Sequence, residues 1–272
     1  DTVGVVLPWF VGFLGWLFSG IQQTIEPLGY YALAVGMTDA TRSYDVVAKL
    51  IQEQRVDGVI FYSQDFSSTQ MRSLQKSPVP IVVADRAREG PWLDCVLYDN
   101  VRAAYDATKH LIDHGHERIA TITGPQWSVS AVERVEGYKA ALRDHGLQID
   151  PELIVEGDWS APPPWTDGFK SRFKNREWPE AVVVGNDWMA LELLQYTSNH
   201  RDPKIASTAI IGFDNVEVAS FAGLTTMGGP IEEFGKAQAK LLLDLIGMKN
   251  RKSRKPLERR VLMQLMIRSS CG

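Results

Sequence analysis

Histidines are the first side chains whose spacing suggests chemistry. His110 and His114 stand one helical turn apart, and His116 follows. Imidazoles at that spacing bind zinc when a third ligand completes the site. No cysteine or carboxylate is spaced to complete one here. The three read instead as exposed histidines at the C-terminal end of a helix, where a cationic side chain meets the negative end of the dipole. Asp57 with Asp65, and Asp144 with Asp150, have no base, metal ligand or nucleophile beside them. They read as turn and cap residues. The only cysteines are Cys95, in an apolar run, and Cys271, next to the last residue, so neither a disulfide scaffold nor a structural zinc site is expected. No GxxxxGK[ST] phosphate loop, GxGxxG turn or GxSxG nucleophile elbow occurs. The residues therefore predict no catalytic group, no metal and no cofactor, and the chain is not expected to be an enzyme.

The composition is that of an ordinary globular protein. Of 272 residues, 44% are hydrophobic and 23% charged, and the net charge is −4. A chain this long buries a large core without disulfides or metals. Its acidity argues against direct clamping of nucleic acid. One basic segment, Lys249, Arg251, Lys252, Arg254, Lys255, Arg259 and Arg260, suits either a DNA contact or a solvated connection between a helix and a strand; the second reading is favoured. The start, Asp1 to Leu7, has no basic region or cleavage site of a signal peptide. The apolar stretch from Trp9 to Phe18 is too short to span a membrane, so no membrane partner is expected. A chain beginning at Asp1 rather than at methionine suggests that something upstream has been removed.

Short apolar runs alternate with helical patterns. Strands are expected at Val3–Leu7, Tyr31–Val35, Val59–Tyr62, Ile81–Ala84, Cys95–Tyr98, Ile119–Thr123, Leu153–Val155, Ala181–Val184, Ala209–Phe213 and Val261–Ile267, with a short extended piece at Leu224–Met227. Nearly continuous Val, Ile, Ala and Leu marks strands buried on both faces, hence parallel sheets under helices. Helices are expected from after Pro8 to about Pro27, at Thr41–Gln54, Asn100–His114, Ser130–Asp144, Trp165–Lys174 and Trp188–Tyr196, and after Pro230. Repeated β-α units imply a doubly wound α/β protein. The strands are too many for one comfortable open sheet, so two lobes are expected.

A set of short motifs then follows in order. Asp99-Asn100 opens a helix that closes at His114-Gly115-His116-Glu117-Arg118-Ile119. Thr123-Gly124-Pro125 and Ser130-Ala131 lead to Arg134, Glu136-Gly137-Tyr138 and Ala141-Leu142. Glu156-Gly157-Asp158-Trp159, Gly185-Asn186-Asp187, Met189-Ala190, Gly212-Phe213-Asp214-Asn215, Leu224-Thr225-Thr226 and Gly235 come next, and the chain ends Met266-Ile267-Arg268-Ser269-Ser270-Cys271-Gly272. In order and spacing this set resembles the LacI/GalR family of bacterial transcription regulators, over essentially the whole chain.

The resemblance implies the effector-sensing domain of a cytoplasmic repressor, without its helix-turn-helix headpiece. Its fold would be two α/β lobes of the type I periplasmic-binding-protein kind, joined by three crossovers. The first lobe would comprise 1–98 plus 230–252, and the second 100–228 plus 256–272. A homodimer is implied, with operator DNA bound only through the headpiece. A small effector, sugar or sugar derivative, would bind in the interlobe cleft, at the carboxyl ends of strands. Arg134 matches the arginine that holds ligand hydroxyls, Asn186 and Asp214 the other polar anchors, and Trp159 the aromatic on which the ligand ring packs. Asp85 and Tyr98 fall at first-lobe cleft positions. Taken singly, Arg134 also suits a surface ion pair, Trp159 lobe packing, Asp214 a helix cap and Asn186 a turn.

Two departures stand out. After Pro8 the family usually has polar residues, whereas this chain has Trp9, Phe10, Val11, Gly12 and Phe13, so the first-lobe wall is expected to be apolar. Gly229 replaces a polar residue often seen after Thr225-Thr226. A periplasmic sugar-binding protein of an uptake system shares the fold and is the alternative; the stretch from Ser130 to Tyr138 and the tail from Arg268 to Cys271 resemble repressors more closely.

Overall fold

A computed structural model of the chain describes residues 1–7, 13–36, 42–62, 66–84, 93–159, 165–249 and 251–271. The chain divides into two compact units. The first holds Asp1–Tyr98, Trp127–Val129 and Pro230–Val261; the second holds Asp99–Gln126, Ser130–Gly229 and Leu262–Gly272.

In the first unit, strands β1 (Thr2–Leu7), β2 (Tyr31–Gly36), β3 (Gly58–Tyr62), β4 (Ile81–Ala84) and β5 (Asp94–Tyr98) alternate with helices α1 (Phe13–Ile25), α2 (Ser43–Gln52) and α3 (Ser68–Gln75). The sheet order is β11-β5-β4-β3-β1-β2, all parallel, where β11 is Glu258–Val261. Val3 to Leu7 and Val59 to Phe61 are fully buried, as continuous apolar runs require when helices cover both faces. On α2, Val47 and Leu50 face the core, with Val46 and Ile51 partly buried against it. Helix α3 was not expected from apolar periodicity. Its start is nevertheless written in the sequence, because Ser67 and Gln70 form a reciprocal capping box with bonds of 3.2 and 2.9 Å. Helix α10 (Ile231–Ile246) returns to this unit and packs closely on α1.

In the second unit the elements are α4 (Asn100–Asp113), β6 (Ile119–Thr123), α5 (Val129–Asp144), β7 (Ile154–Glu156), α6 (Trp165–Phe173), β8 (Ala181–Val184), α7 (Asp187–Ser198), α8 (Pro203–Ala206), β9 (Ala209–Phe213), α9 (Glu217–Phe221), β10 (Thr225–Gly228) and β12 (Gln264–Met266). The order is β12-β10-β9-β8-β6-β7; β12 alone runs antiparallel. Five strands of each sheet thus follow the same winding, 2-1-3-4-5 within the unit, and the C-terminal segment supplies the sixth to both. The expected two doubly wound α/β lobes are present. In the second, the strand order reverses between β6 and β8, and ligands of open α/β sheets bind at the carboxyl ends beside such a reversal.

The last expected strand, 261–267, is two strands instead. Glu258–Val261 pairs with β5 in the first sheet and Gln264–Met266 with β10 in the second. Residues 256–261, expected in the second lobe, therefore belong to the first unit. Leu262 and Met263 link the two strands, of which the first runs parallel to its neighbour and the second antiparallel.

Candidate ligand-binding site

Arg134, Trp159, Asn186 and Asp214 all lie in the second unit, on α5 and on the segments that leave the carboxyl ends of β7, β8 and β9. Arg134 is held on several sides. Its Nε donates to Asn100 Oδ1 at 2.9 Å, and Nη1 donates to the carbonyl of Gly185. The guanidinium lies 4.2 Å from the centroid of the buried Phe213 ring and 5.7 Å from that of Trp159. Nη2 stands 4.0 Å from Asp214 Oδ1. Asn100, the first residue of α4, is fully buried and also donates to Ser130 Oγ at 3.2 Å. Of the five N–H groups of the fork, two are engaged inward by Asn100 and Gly185. The remaining edge lies beside the carboxylate of Asp214.

Trp159 packs against the core of the second unit and has a φ of +67°. Its ring lies so close to Gly124 and Gly185 that a Cβ on Gly124 would stand 1.9 Å from its Cζ2. A side chain on Gly124 would therefore displace the ring. Asn186 caps α7: its Oδ1 accepts from Met189 N at 2.8 Å, and its Nδ2 donates to the Trp159 carbonyl at 3.1 Å. The cap reading of Asn186 is thus realised, and the same side chain ties α7 to the backbone of Trp159. Asp214 and Asn215 follow β9 with φ of +104° and +54°. With Trp159, three non-glycine residues in left-handed backbone conformations gather at the ends of these strands. Such outliers persist only where surroundings hold them, and they concentrate at functional sites.

What holds the Asp214–Asn215 turn is a buried network absent from the sequence expectations. Asp187 is fully buried; its Oδ1 accepts from Thr226 Oγ1 at 2.6 Å and its Oδ2 from Val216 N at 2.9 Å. Burial, and next the negative charge of Asp214, push the Asp187 carboxyl well above the usual range. Arg268, in the tail, donates to Asn215 Oδ1 at 2.7 Å and to the Leu224 carbonyl at 2.6 Å. Asp187 and Arg268 stood among the motifs, but spacing alone did not reveal that they support the turn.

The other expected positions fall elsewhere. Tyr98 ends β5 in the first unit; it is buried, with its ring 4.2 Å from that of Phe234 in a stacked arrangement. Trp9, Phe10 and Asp85 lie outside the described residues, and Phe13 is the first residue of α1. The His110 and His114 rings lie 4.2 Å apart, tilted by 44°, and His110 Nε2 lies 3.4 Å from Cys271 Sγ. Burial, with the charge of His114, lowers the His110 pKa. In the basic segment, Arg254 pairs with Asp94 at 2.7 Å, Arg259 with Asp244 at 2.8 Å and Arg260 with Glu258 at 2.7 Å. Those guanidiniums are engaged within the first unit, as a helix-to-strand connection demands. Asp57 accepts from Thr2 N at 2.7 Å and Asp150 caps the turn at Glu152 at 2.9 Å, both local structural roles.

Comparison with known proteins agrees with this architecture. The profile described as "Periplasmic binding proteins and sugar binding domain of LacI family" matches residues 2–256. The catabolite control protein A of Priestia megaterium is 30% identical over 89% of this chain and 74% of its own length. The transcriptional repressor PurR of Aliivibrio fischeri is also 30% identical, over 93% of this chain and 77% of its own. Among solved structures, a transcriptional regulator CelR–cellobiose complex superposes with a TM-score of 0.85 at 28% identity, covering 100% of this chain and 84% of that one. The chain belongs to the LacI family: it is the effector-binding domain of a LacI-family transcriptional regulator, with the periplasmic-binding-protein-like fold. These relatives regulate transcription, which favours that reading over a transport protein and over an enzyme. No helix among the described residues is long and apolar enough to cross a membrane.

Proposed function

We propose that this domain senses a neutral, polyhydroxylated small molecule, a sugar or sugar derivative, held on Arg134, Asp214, Asn186 and the Trp159 ring. The observation that carries the reading is the 4.0 Å between Arg134 Nη2 and Asp214 Oδ1. A hydroxyl group between them accepts from the guanidinium and donates to the carboxylate at once. An anionic ligand placed there meets Asp214 as a like charge. Trp159 supplies an apolar face for the C–H side of a ring, and the similar regulator CelR, whose structure is a cellobiose complex, supports a saccharide. Trp9, Phe10, Phe13, Asp85 and Tyr98 of the first unit are proposed to complete the pocket. In the whole cytoplasmic regulator, ligand occupancy would control operator binding by a DNA-binding headpiece, through a homodimer.

A thermal-shift screen of mono- and disaccharides, followed by calorimetry, tests the reading. A saccharide should raise the melting temperature. Hydrogen bonds to charged groups contribute roughly 1.5–3 kcal/mol each, so Arg134→Ala and Asp214→Ala should weaken binding about tenfold to a few hundredfold. If both variants stay folded and bind as tightly as the parent, the pocket is wrongly placed.

A further inference from the structure

The first unit carries a cavity of about 510 Å³ that the ligand reading does not use. It is lined by Asp57, just before β3, by Pro78, Val79 and Pro80, just before β4, and by Leu245, Ile246 and Met248 at the end of α10. Lys249, Arg251 and Ser253 of the connection to β11 complete it. It therefore lies at the amino ends of the strands, opposite the carboxyl ends at which open α/β sheets bind ligands. Its size is within the range of ordinary small-molecule pockets.

One wall is rigid for reasons visible in the chain. Pro78 and Pro80 fix their backbone torsions. Ser77 Oγ donates to the Val79 carbonyl at 2.8 Å and accepts from Val79 N at 3.2 Å. The carbonyls of Ser77 and Pro78 in turn accept from Arg251 Nη2, at 3.2 and 2.9 Å. The guanidinium is thus anchored at the cavity by its back. The opposite wall is apolar: Leu245 is buried, and Met248 is 38% exposed beside Lys249.

Charge is unbalanced at this place. Asp94, Asp244 and Asp57, the nearby acids, are engaged by Arg254, by Arg259 and by the backbone amide of Thr2. Neither Lys249 nor Arg251 makes an ion pair among the described residues. With Asp57 in the same lining, the cavity carries two cations against one carboxylate, and that net positive charge beside apolar walls matches an oxyanion carrying an apolar body.

We propose that this cavity is a second ligand site, for a small amphiphilic oxyanion whose phosphate or carboxylate meets Lys249 and Arg251 while its apolar part lies between Val79, Pro80, Ile246 and Met248. A ligand there would join the starts of β3 and β4 to the connection that leads from α10 to β11. It would do so independently of Arg134 and Asp214.

The test is calorimetry on the whole chain with phenyl phosphate, and with inorganic phosphate, benzoate and phenol for comparison. Phenyl phosphate should bind saturably, with inorganic phosphate and phenol each at least about tenfold weaker. Saturable binding of benzoate would add carboxylates to the ligands taken, and its absence would confine the site to phosphates. Lys249 is exposed, so Lys249→Glu should fold normally and weaken phenyl phosphate about tenfold or more, whereas Arg134→Ala should leave it unchanged. Absence of saturable binding up to about 10 mM, or equal binding by Lys249→Glu, overturns the proposal. Loss of binding in Arg134→Ala would place the anion at the other site and overturn it as well.

Discussion

Asn100 is the residue on which the geometry of Arg134 turns. Its Oδ1 fixes Nε, and Nε in turn sets the plane of the fork that rests on Phe213. Removing that acceptor leaves a largely buried N–H without its partner and lets the guanidinium rotate. Asn100→Ala is therefore expected to weaken saccharide binding about tenfold, the order of one hydrogen bond to a charged group. Asn100→Asp, which keeps the acceptor, should restore most of the affinity. Calorimetry against a saccharide identified by the thermal-shift screen decides it, and equal loss in both variants would count against a positioning role. Asp187 makes a prediction of a different kind. A carboxyl whose folded pKa is raised binds more protons in the native state than in the unfolded chain. Its contribution is most favourable below the unfolded pKa of about 3.9 and declines as pH rises toward the folded value. Asp187→Asn stays neutral, and its amide can donate to Thr226 Oγ1 while its carbonyl accepts from Val216 N. Relative to the parent, this variant should therefore gain stability as pH rises from about 4 toward neutrality. Parallel unfolding curves for parent and variant across that range would show that Asp187 does not carry the proton.

Among the elements of the first unit, helices α1 and α10 approach each other closely at two glycines. A Cβ on Gly235 would stand 2.1 Å from the carbonyl oxygen of Leu17, and one on Gly20 would stand 2.0 Å from that of Glu232. Alanine in a helix interior is ordinarily favoured over glycine by about 1 kcal/mol. Here the obstacle is main chain rather than a side chain that can turn away, so the helices must separate. Overpacking of this kind costs typically 1–3 kcal/mol. We expect Gly235→Ala to destabilise the domain by up to about 2 kcal/mol net, read as a lower denaturation midpoint; a rise in the midpoint would show that the helices part freely. The same elements show what apolar pattern conveys. Strands such as β1, β3 and β8 announced themselves, because full burial demands continuous apolar residues. Helix α3, whose sequence is polar, did not, and only its capping pair marked it. The division of 258–266 between two sheets was also illegible, because Glu258–Val261 and Gln264–Met266 are not apolar runs and their partners are remote in sequence.

At the scale of the whole molecule, the second unit leaves apolar side chains in solvent: Phe221 is 83% exposed, Val218 is 39% exposed on the same short helix, and Trp188 is 48% exposed at the start of α7. Val218 and Phe221 stand one turn apart on the same helix, and contiguous exposed apolar patches mark interaction surfaces. A two-fold partner is the occupant expected, since symmetric dimers suit palindromic operators. Light scattering at micromolar concentration should report twice the 30.4 kDa chain mass, and Phe221→Glu should shift it toward the monomer without unfolding the domain. A parent that scatters only as the monomer would remove this expectation. The sequence by itself determined the α/β class, the doubled winding, the family and the four residues that meet at the strand ends. The class and winding follow from the burial of continuous apolar runs; the family and the four residues follow from the resemblance that the ordered motifs carry. Only the tertiary structure decided which groups support those four: Asn100 and Gly185 on Arg134, Gly124 under Trp159, and Asp187 with Thr226 and Arg268 around the Asp214 turn. These contacts join residues 30 to 50 positions apart or more in the chain, as from Arg134 to Asn100 and Gly185. A hydrogen bond between such residues exists only once the strands and helices that carry them have packed.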